Sequence, residues 1–335
     1  MPGIKIIAFE VRDDEKAAFQ AQMERWGVEV EITSEIPSLE NVEMVSGFKG
    51  VTMLGQGRID RLLLEEWAKR GVGFISTRTI GYDHIDLAAA RELGIRVCNA
   101  SYAPNGVAEF TIMMILICMR KYKQASWRAR VNDFSLEGLQ GRELKDLTVG
   151  VMGTGHIGGK VIELLSGFGC RILAYDHREK EPVKKYATYV SLDELLRESD
   201  VITLHLPGLP ETRHIINAET IAKMKDDVIL VNCSRGDLMD TAALVEGIES
   251  QKIGAIGMDT IEGEKGMVHQ DHRTETLTNR DLFYLMQFGN VVITQHMAFY
   301  TDAAVSSMVE CGVGGIVRMA AGDPCETEIT NREAV

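Results

Sequence analysis

The sequence predicts an α/β protein with two domains, each built around a parallel β-sheet. Its 335 residues suit two domains of ordinary size. Short β-rich runs alternate with longer helical patterns along almost the whole chain, which is the order of βαβ units. Several of these runs are continuously apolar, as expected of strands that helices cover on both faces. Together these observations predict open parallel sheets.

The first hundred residues contain one series of strands and helices. Helical patterns at 14–26 and 59–70 are each followed by a glycine, Gly27 and Gly71, and Gly94 likewise precedes a strand. A glycine at such a position suits a left-handed helix cap. The predicted strands of this series are 5–9, 28–32, 51–54, 73–76 and 96–98.

A long apolar helix at 105–120 links this series to a second one. A polar, basic stretch follows that helix, and a last helix at 302–320 follows the second series. Because one helix links the series and another ends the chain, the tail could fold back onto the first domain. The predicted strands of the second series are 148–152, 171–175, 189, 201–205, 228–233, 255–259 and 291–294.

The composition excludes several classes of partner and compartment. The formal net charge is −13, which repels nucleic-acid backbones and anionic lipid. Six scattered cysteines without a CxxC pair favour a reducing compartment over a disulfide framework or zinc site. The longest apolar run, 110–119, is far shorter than the roughly 20 residues that span a bilayer. We therefore expect a cytoplasmic protein that binds neither membranes nor nucleic acid.

A glycine-rich segment, GTGHIG at 153–158, lies between a predicted strand and a helix start. Gly153 allows a tight turn, Gly155 lets the backbone approach a pyrophosphate, and Gly158 permits close helix–strand packing. The helix N-terminus then faces the phosphates. The motif thus predicts a Rossmann-like dinucleotide site, with cofactor-binding residues Gly153, Gly155, His156, Ile157 and Gly158.

Asp176 closes the next strand, 18 residues after the last glycine of this motif. A carboxylate there can bind both ribose hydroxyls and repels a 2′-phosphate, which favours NAD over NADP. Arg178 lies nearby and leaves NADP open. The alternative interpretation is a structural turn followed by a surface aspartate.

Three polar residues directly follow apolar strands, where open α/β sheets bind their ligands. Arg235 and His296 come after two such strands, and Asp259 ends a third before the acidic loop that contains Glu262 and Glu264. An Arg–His–Glu set suits reduction of a 2-keto acid: the arginine binds the carboxylate, the histidine donates a proton, and the glutamate favours the charged histidine. Taken singly, each residue could instead be a surface ion-pair partner, a core histidine or a loop acid.

Long ordered motifs lie along nearly the whole chain: RTIGYDHID at 78–86, YAPNGVAE at 102–109, GTGHIG at 153–158, VNCSRG at 231–236, DTIEGE at 259–264 and HMAFYT at 296–301. In these motifs the chain resembles the D-2-hydroxyacid dehydrogenases, in the branch of D-lactate and D-2-hydroxyisocaproate dehydrogenases. The resemblance implies catalytic roles for Arg235, Glu264 and His296, and places Asp259 near the nicotinamide carboxamide.

The resemblance also implies a substrate site. The backbone amides of Ile80 and Gly81 hold the substrate carboxylate, Tyr102 reaches the same group, and Phe299 forms a pocket wall. Leu54 faces the pocket where relatives carry tyrosine or arginine, so we expect branched or aromatic keto acids to rival pyruvate. The alternative is that Leu54 is core and the enzyme is an ordinary D-lactate dehydrogenase.

The resemblance further implies a discontinuous substrate domain, 1–101 plus 300–335, around an NAD domain, 102–299. It implies a cleft between the two domains and a homodimer formed largely through the NAD domain.

Other polar residues carry weaker predictions. His205, Cys233 and Ser234 are predicted to contact the cofactor, although His205 could be purely structural and Cys233 a packed thiol. His269 and His272 lie in a polar loop and are interpreted as solvated, so no metal is predicted.

Two classes of function are compatible with these residues. The first is NADH-dependent reduction of a 2-keto acid to the (R)-2-hydroxy acid. The second is an NAD(H)-sensing, corepressor-like binding protein of the same fold, which needs the glycine loop and Asp176 but not catalytic turnover.

Overall fold

The computed structural model describes residues 4–276 and 278–330, and the chain forms two compact units. The first unit contains the residues up to Ala103 and those from Tyr300 onward. The second unit is Pro104–Phe299. Each unit contains one sheet whose paired strands are all parallel, so the predicted fold class is confirmed.

The first unit has a five-stranded sheet in the order β2-β1-β3-β4-β5. Its chain turns to opposite sides of β1, so β1 and β3 flank the point where the strand order reverses. The strands are β1 (Lys5–Ala8), β2 (Glu29–Ile32), β3 (Gly50–Met53), β4 (Phe74–Thr77) and β5 (Arg96–Cys98). The helices are α1 (Lys16–Trp26), α2 (Arg61–Lys69), α3 (Leu87–Glu92) and, from the end of the chain, α12 (Asp302–Ala321).

Helix α12 belongs to the core of the first unit. Its buried face includes Val309, Val313 and Ile316, which pack in one cluster with Ile6 and Phe19. Within the described ranges, α12 is long and apolar enough to cross a membrane by length and composition alone. Its burial is that of a core helix, and core helices pass the same test.

A buried ion pair in this unit joins the end of β4 to the segment between β1 and α1. Arg78 Nε donates to Glu15 Oε1 at 2.9 Å, and neither side chain is exposed. The same guanidinium donates to the backbone oxygen of Phe9 at 3.0 Å. The first residue of the RTIGYDHID motif therefore holds the strand ends together rather than reaching outward.

The second unit has a seven-stranded sheet in the order β12-β11-β10-β9-β6-β7-β8. The strands are β6 (Thr148–Met152), β7 (Arg171–Tyr175), β8 (Thr188–Tyr189), β9 (Val201–Leu204), β10 (Val228–Asn232), β11 (Ile253–Met258) and β12 (Val291–Ile293). The helices are α4 (Asn105–Met119), α5 (Tyr122–Arg130), α6 (His156–Ser166), α7 (Glu181–Lys184), α8 (Leu192–Glu198), α9 (Ala218–Lys223), α10 (Thr241–Glu249) and α11 (Arg280–Gln287).

Every predicted strand is present, and the three predicted glycine caps have positive φ angles of 61°, 86° and 71°. Several strands end one residue earlier than predicted, which leaves Leu54, His205, Cys233, Asp259 and Thr294 just beyond the ladder. The residue directly after a strand can be as well buried as the strand itself, as Leu54, Cys233 and Asp259 are, so the sequence pattern does not mark where pairing stops. The polar, basic stretch after α4, to which the sequence pattern assigned no element, forms helix α5.

Candidate active site

The predicted catalytic residues follow three adjacent strands of the second sheet. Arg235 follows β10, Glu264 follows β11 and His296 follows β12. Because these strands are parallel, their carboxyl ends and the loops after them lie at the same edge. Open α/β sheets bind ligands at this edge.

The structure brings His296 and Glu264 together. His296 Nδ1 lies 2.7 Å from Glu264 Oε1, and both side chains are partly buried. The second oxygen of Glu264 accepts a hydrogen bond from the backbone N–H of Ile261 at 2.8 Å, which fixes the carboxylate. The Phe299 ring meets the His296 ring edge-on, with centroids 6.3 Å apart. The imidazole is therefore oriented from two sides.

The other glutamate of the acidic loop has a different partner. Glu262 Oε1 lies 2.5 Å from His214 Nε2, and Glu262 Oε2 accepts hydrogen bonds from the backbone N–H and hydroxyl of Thr241. Burial raises the pKa of Glu262, but the bonds from His214 and Thr241 outweigh it and the net pKa is lowered. Glu264, not Glu262, is the carboxylate beside His296.

Asp259 holds the loop that carries His296. Its side chain is fully buried, and its oxygens accept from Thr294 Oγ1 at 2.6 Å and from the N–H groups of Met297 and Ala298 at 2.8 Å each. His296 itself has a φ of 54°, a left-handed conformation that is uncommon for a side chain of this size. Bonds on both sides of His296 hold this conformation in place.

Arg235 lies in a loop that contacts the Glu264 loop directly. Asn232 bridges the loop, because its side chain accepts from Ser234 N–H and donates to the Arg235 oxygen. A Cβ on Gly236 would lie 2.1 Å from the Ile261 carbonyl carbon, so only glycine permits the two backbones to pack this closely. Through Ile261, the Arg235 loop adjoins the Glu264–His296 pair.

The glycine loop follows β6, at the point where the order of the second sheet reverses. Gly153 has a φ of 91°, and a Cβ on Gly158 would lie 1.9 Å from the Gly153 oxygen. A Cβ on Gly155, by contrast, would meet no protein atom within 4 Å. The space above Gly155 and the N-terminus of α6 therefore fit a dinucleotide pyrophosphate, held by the backbone of Gly155, His156 and Ile157.

Asp176 lies at the end of β7, beside the glycine loop. Its Oδ2 accepts from the backbone N–H and hydroxyl of Thr154 at 2.7 and 2.9 Å, and its Oδ1 accepts from Arg178 N–H at 3.1 Å. Burial raises the pKa of Asp176, but these bonds outweigh it and leave the pKa below its ordinary value. The carboxylate is thus charged next to the loop that fits the pyrophosphate, as ribose binding requires.

The remaining cofactor predictions concern residues near the same edge. His205 Nε2 lies 3.0 Å from Thr203 Oγ1, whereas its Nδ1 is buried with no hydrogen-bond partner among the described residues. Burial lowers the pKa of His205 to about 3, so the ring is neutral. Ser234 Oγ donates to the Leu206 oxygen, and burial raises the pKa of the Cys233 thiol. These contacts fit an uncharged wall beside the cofactor site.

The predicted substrate residues fall in both units. Leu54 is buried at the end of β3. Ile80 and Gly81 follow β4, and bonds from Asn99 and Thr79 to their carbonyl oxygens fix that loop. Tyr102 is partly buried near the end of the first unit's amino-terminal segment, and Phe299 closes the second unit beside His296.

The sequence interpretation missed two features of this site. His269, predicted to be solvated, donates a hydrogen bond from its Nε2 to the backbone oxygen of His296 at 3.0 Å, and its ring centroid is 6.2 Å from that of His296. The anchoring of the His296 loop by Asp259 was also missed. Its signal was a lone aspartate directly after an apolar strand, which fits a ligand contact equally well.

Comparison with known proteins agrees with this geometry. The family model described as D-isomer specific 2-hydroxyacid dehydrogenase, NAD binding domain, matches residues 112–298. The chain belongs to this family. It is an NAD-dependent oxidoreductase, and the predicted resemblance and cofactor are confirmed.

Individual relatives match nearly end to end. The chain is 43% identical to an aromatic 2-oxoacid reductase of Clostridium sporogenes over 92% of this chain and 93% of the relative. It is 37% identical to a D-lactate dehydrogenase of Lactobacillus delbrueckii subsp. bulgaricus, over 97% and 98% of the two chains. A solved D-2-hydroxyisocaproate dehydrogenase superposes with a TM-score of 0.89 at 33% identity, covering 98% of this chain and 100% of that one.

Proposed function

We propose that this dehydrogenase reduces a 2-oxo acid to the (R)-2-hydroxy acid with NADH, using His296 as the proton donor. The observation that carries the proposal is the 2.7 Å pair of His296 and Glu264 at a sheet edge shared with Arg235 and the glycine loop. A histidine fixed by a carboxylate is the usual device for proton transfer near neutral pH.

NADH, when bound, supplies the hydride for this reaction. Glu264 engages His296 Nδ1, so Nε2 is the nitrogen that we assign to proton transfer to the substrate oxygen. The carboxylate favours the charged imidazole that must donate this proton. Arg235 binds the substrate carboxylate through its planar fork of donors. The backbone amides of Ile80 and Gly81 and the side chain of Tyr102 are further groups that we assign to binding of the substrate carboxylate.

The substrate class that we propose is 2-oxo acids with apolar side chains. Leu54 and Phe299, the side chains that we assign to the substrate pocket, are apolar and carry no charge for a second carboxylate, so 2-oxoglutarate would leave a charge unpaired. Each fully buried methylene would gain about 0.8 kcal/mol, which favours 4-methyl-2-oxopentanoate and phenylpyruvate. The aromatic 2-oxoacid reductase among the relatives supports this preference over pyruvate.

Steady-state rates with pyruvate, 4-methyl-2-oxopentanoate, phenylpyruvate and 2-oxoglutarate test the proposal, with NADH and NADPH as alternative reductants. We expect phenylpyruvate or 4-methyl-2-oxopentanoate to match or exceed pyruvate in kcat/KM. A pyruvate value tenfold higher would make the protein an ordinary D-lactate dehydrogenase. NADH binding without turnover of any acid would instead indicate the sensing role.

Glu264→Gln is expected to lower kcat about tenfold or more, because the neutral amide no longer stabilises the charged imidazole. The matched control is Glu262→Gln, which makes the same change two residues away in a carboxylate bound to His214. We expect Glu262→Gln to retain most of the activity. A larger loss in the control would show that the wrong glutamate has been assigned.

Asp176→Ala is expected to narrow the preference for NADH over NADPH, because it removes a negative charge that repels the 2′-phosphate. Since the folded pKa of Asp176 lies below the ordinary value of an aspartate, the carboxylate stays charged from mildly acidic pH upward. The wild-type preference should therefore persist from mildly acidic to alkaline pH. Equal use of both cofactors by the wild type would contradict this role and implicate Arg178.

The proposed reaction is divided between two domains of the chain. We assign substrate binding to the discontinuous domain, 1–101 plus 300–335, and NAD binding to 102–299.

We also propose a homodimer. Helix α5 and the segment after it expose large apolar side chains, each between 60% and 84% accessible. Such a set on one short stretch suits burial against a second copy. The residues are Tyr122, Trp127, Val131, Phe134 and Leu136.

A charge placed in this apolar set should weaken the dimer. We expect sedimentation to show a wild-type dimer and a mostly monomeric Phe134→Asp variant. Leu62→Asp, which alters an exposed apolar residue in the first unit, is the control and should remain dimeric. A monomeric wild type would refute the proposal of a dimer.

We also propose that the enzyme is cytoplasmic and has neither nucleic-acid nor membrane partners. The net charge of −13 is consistent with the absence of such partners.

A further inference from the structure

A buried glutamate joins the ends of two strands in the first unit. Glu10 lies two residues after β1, has only 4% of its surface exposed and adopts a left-handed φ of 57°. Its carboxylate accepts three backbone hydrogen bonds from the loop after β3. The donors are the N–H groups of Leu54 at 2.5 Å, Gly55 at 2.6 Å and Gly57 at 2.9 Å.

Burying the carboxylate of Glu10 costs free energy, so the contacts that compensate for this cost indicate its role. Burial raises the pKa of Glu10, opposed by the amides of the loop and by Arg78. No lysine or arginine among the described residues forms an ion pair with it, and Arg78 instead pairs with Glu15. A buried charge whose oxygens are bound by loop amides alone serves to hold that loop.

The position of the loop points to a ligand. In a sheet of order β2-β1-β3-β4-β5, the strand order reverses between β1 and β3, and ligands bind beyond the carboxyl ends of these two strands. Glu10 follows one of them and Leu54 the other, so the three bonds cross this point. The His84 ring also packs closely against this loop, since a Cβ on Gly55 would lie 2.6 Å from that ring.

We propose that Glu10 is a positioning residue for substrate selection: its carboxylate fixes the loop at 54–57 and thereby sets how the enzyme discriminates between 2-oxo acid side chains. The inference rests on the proposed function, since it requires Leu54 to face the substrate. Glu10 acts through the loop and does not itself touch the reacting atoms.

The test compares kcat/KM for phenylpyruvate and pyruvate in Glu10→Gln. A glutamine presents an NH₂ group where the carboxylate accepts on both oxygens, so at least one amide of the loop loses its acceptor. We expect the ratio of the two kcat/KM values to move about threefold to tenfold towards unity, within the range that one pocket position controls. The KM for NADH should not change, because the glycine loop lies in the other unit.

The matched control is Asp13→Asn, which makes the same chemical change on the same segment. Asp13 is exposed and pairs with Lys16, whereas the loop at 54–57 bonds to Glu10. Its ratio should equal that of the wild type. If Glu10→Gln does not fold, Glu10→Asp keeps the charge on a shorter side chain that cannot reach all three amides, and the same shift is expected.

A double-mutant cycle with Leu54→Ala separates positioning from a general loss of stability. If Glu10 acts through Leu54, its effect on the ratio should largely disappear in the Leu54→Ala background. An equal effect in both backgrounds, or an unchanged ratio in folded Glu10 variants of an active enzyme, would overturn this inference alone. A wild type that reduces no 2-oxo acid would overturn the proposed function as well.

Discussion

His296→Ala is expected to lower kcat by about 10²–10⁴, the usual contribution of a positioned proton donor. The loss should appear with every 2-oxo acid, because the proton goes to the substrate oxygen that all of them share. NADH binding, measured by fluorescence titration, should remain because the glycine loop is unaltered. The variant therefore separates chemistry from cofactor binding.

His214→Ala is the matched control for this experiment. His214 also forms a close pair with a glutamate of the same acidic loop, at 2.5 Å from Glu262. Removing it deletes a similar histidine–carboxylate pair without touching His296. We expect at most a modest loss of kcat. Comparable losses in the two variants, or near-normal turnover in His296→Ala, would show that proton transfer has been assigned to the wrong group.

Arg235→Gln is expected to raise KM strongly and also to lower kcat. In the proposed reaction, the arginine binds the substrate carboxylate in the ground state and polarises the carbonyl in the transition state. Losing a desolvated charge pair costs about 2–5 kcal/mol, or a factor of about 30 to 5000 in kcat/KM. Arg235→Lys keeps the charge but not the bidentate fork, so its value should lie between those of the wild type and Arg235→Gln.

Binding of a substrate analogue checks the same assignment of Arg235. Oxamate, a 2-oxo acid mimic with the same carboxylate, should bind the wild type far more tightly than Arg235→Gln. An Arg235→Gln enzyme with unchanged KM and unchanged oxamate affinity would remove the arginine from the substrate site.

Local sequence patterns were sufficient for the sheets and for the cofactor loop. The apolar strands, the glycine spacing and Asp176 are each set by neighbouring residues, so they are visible without a structure. The three loops of the catalytic set were likewise predictable, because the carboxyl ends of neighbouring parallel strands share an edge.

Contacts between distant segments were not predictable from those patterns. The distinction between Glu262 and Glu264 came from the family resemblance, since spacing alone does not show that one turns to His214 and the other to His296. The three bonds from the 54–57 loop to Glu10 join residues more than 40 positions apart. Helix α5 was missed because its exposed face mixes basic and aromatic side chains, so no apolar stripe marks it.

The most direct test of the account is the chirality of the product formed from phenylpyruvate and NADH. Purified wild-type enzyme should convert the two in a one-to-one ratio, and chiral chromatography should show only the (R)-hydroxy acid. His296→Ala under the same conditions should form the same enantiomer at a greatly reduced rate. A racemic or (S) product, or NADH that is bound but not consumed, would contradict the proposed reaction.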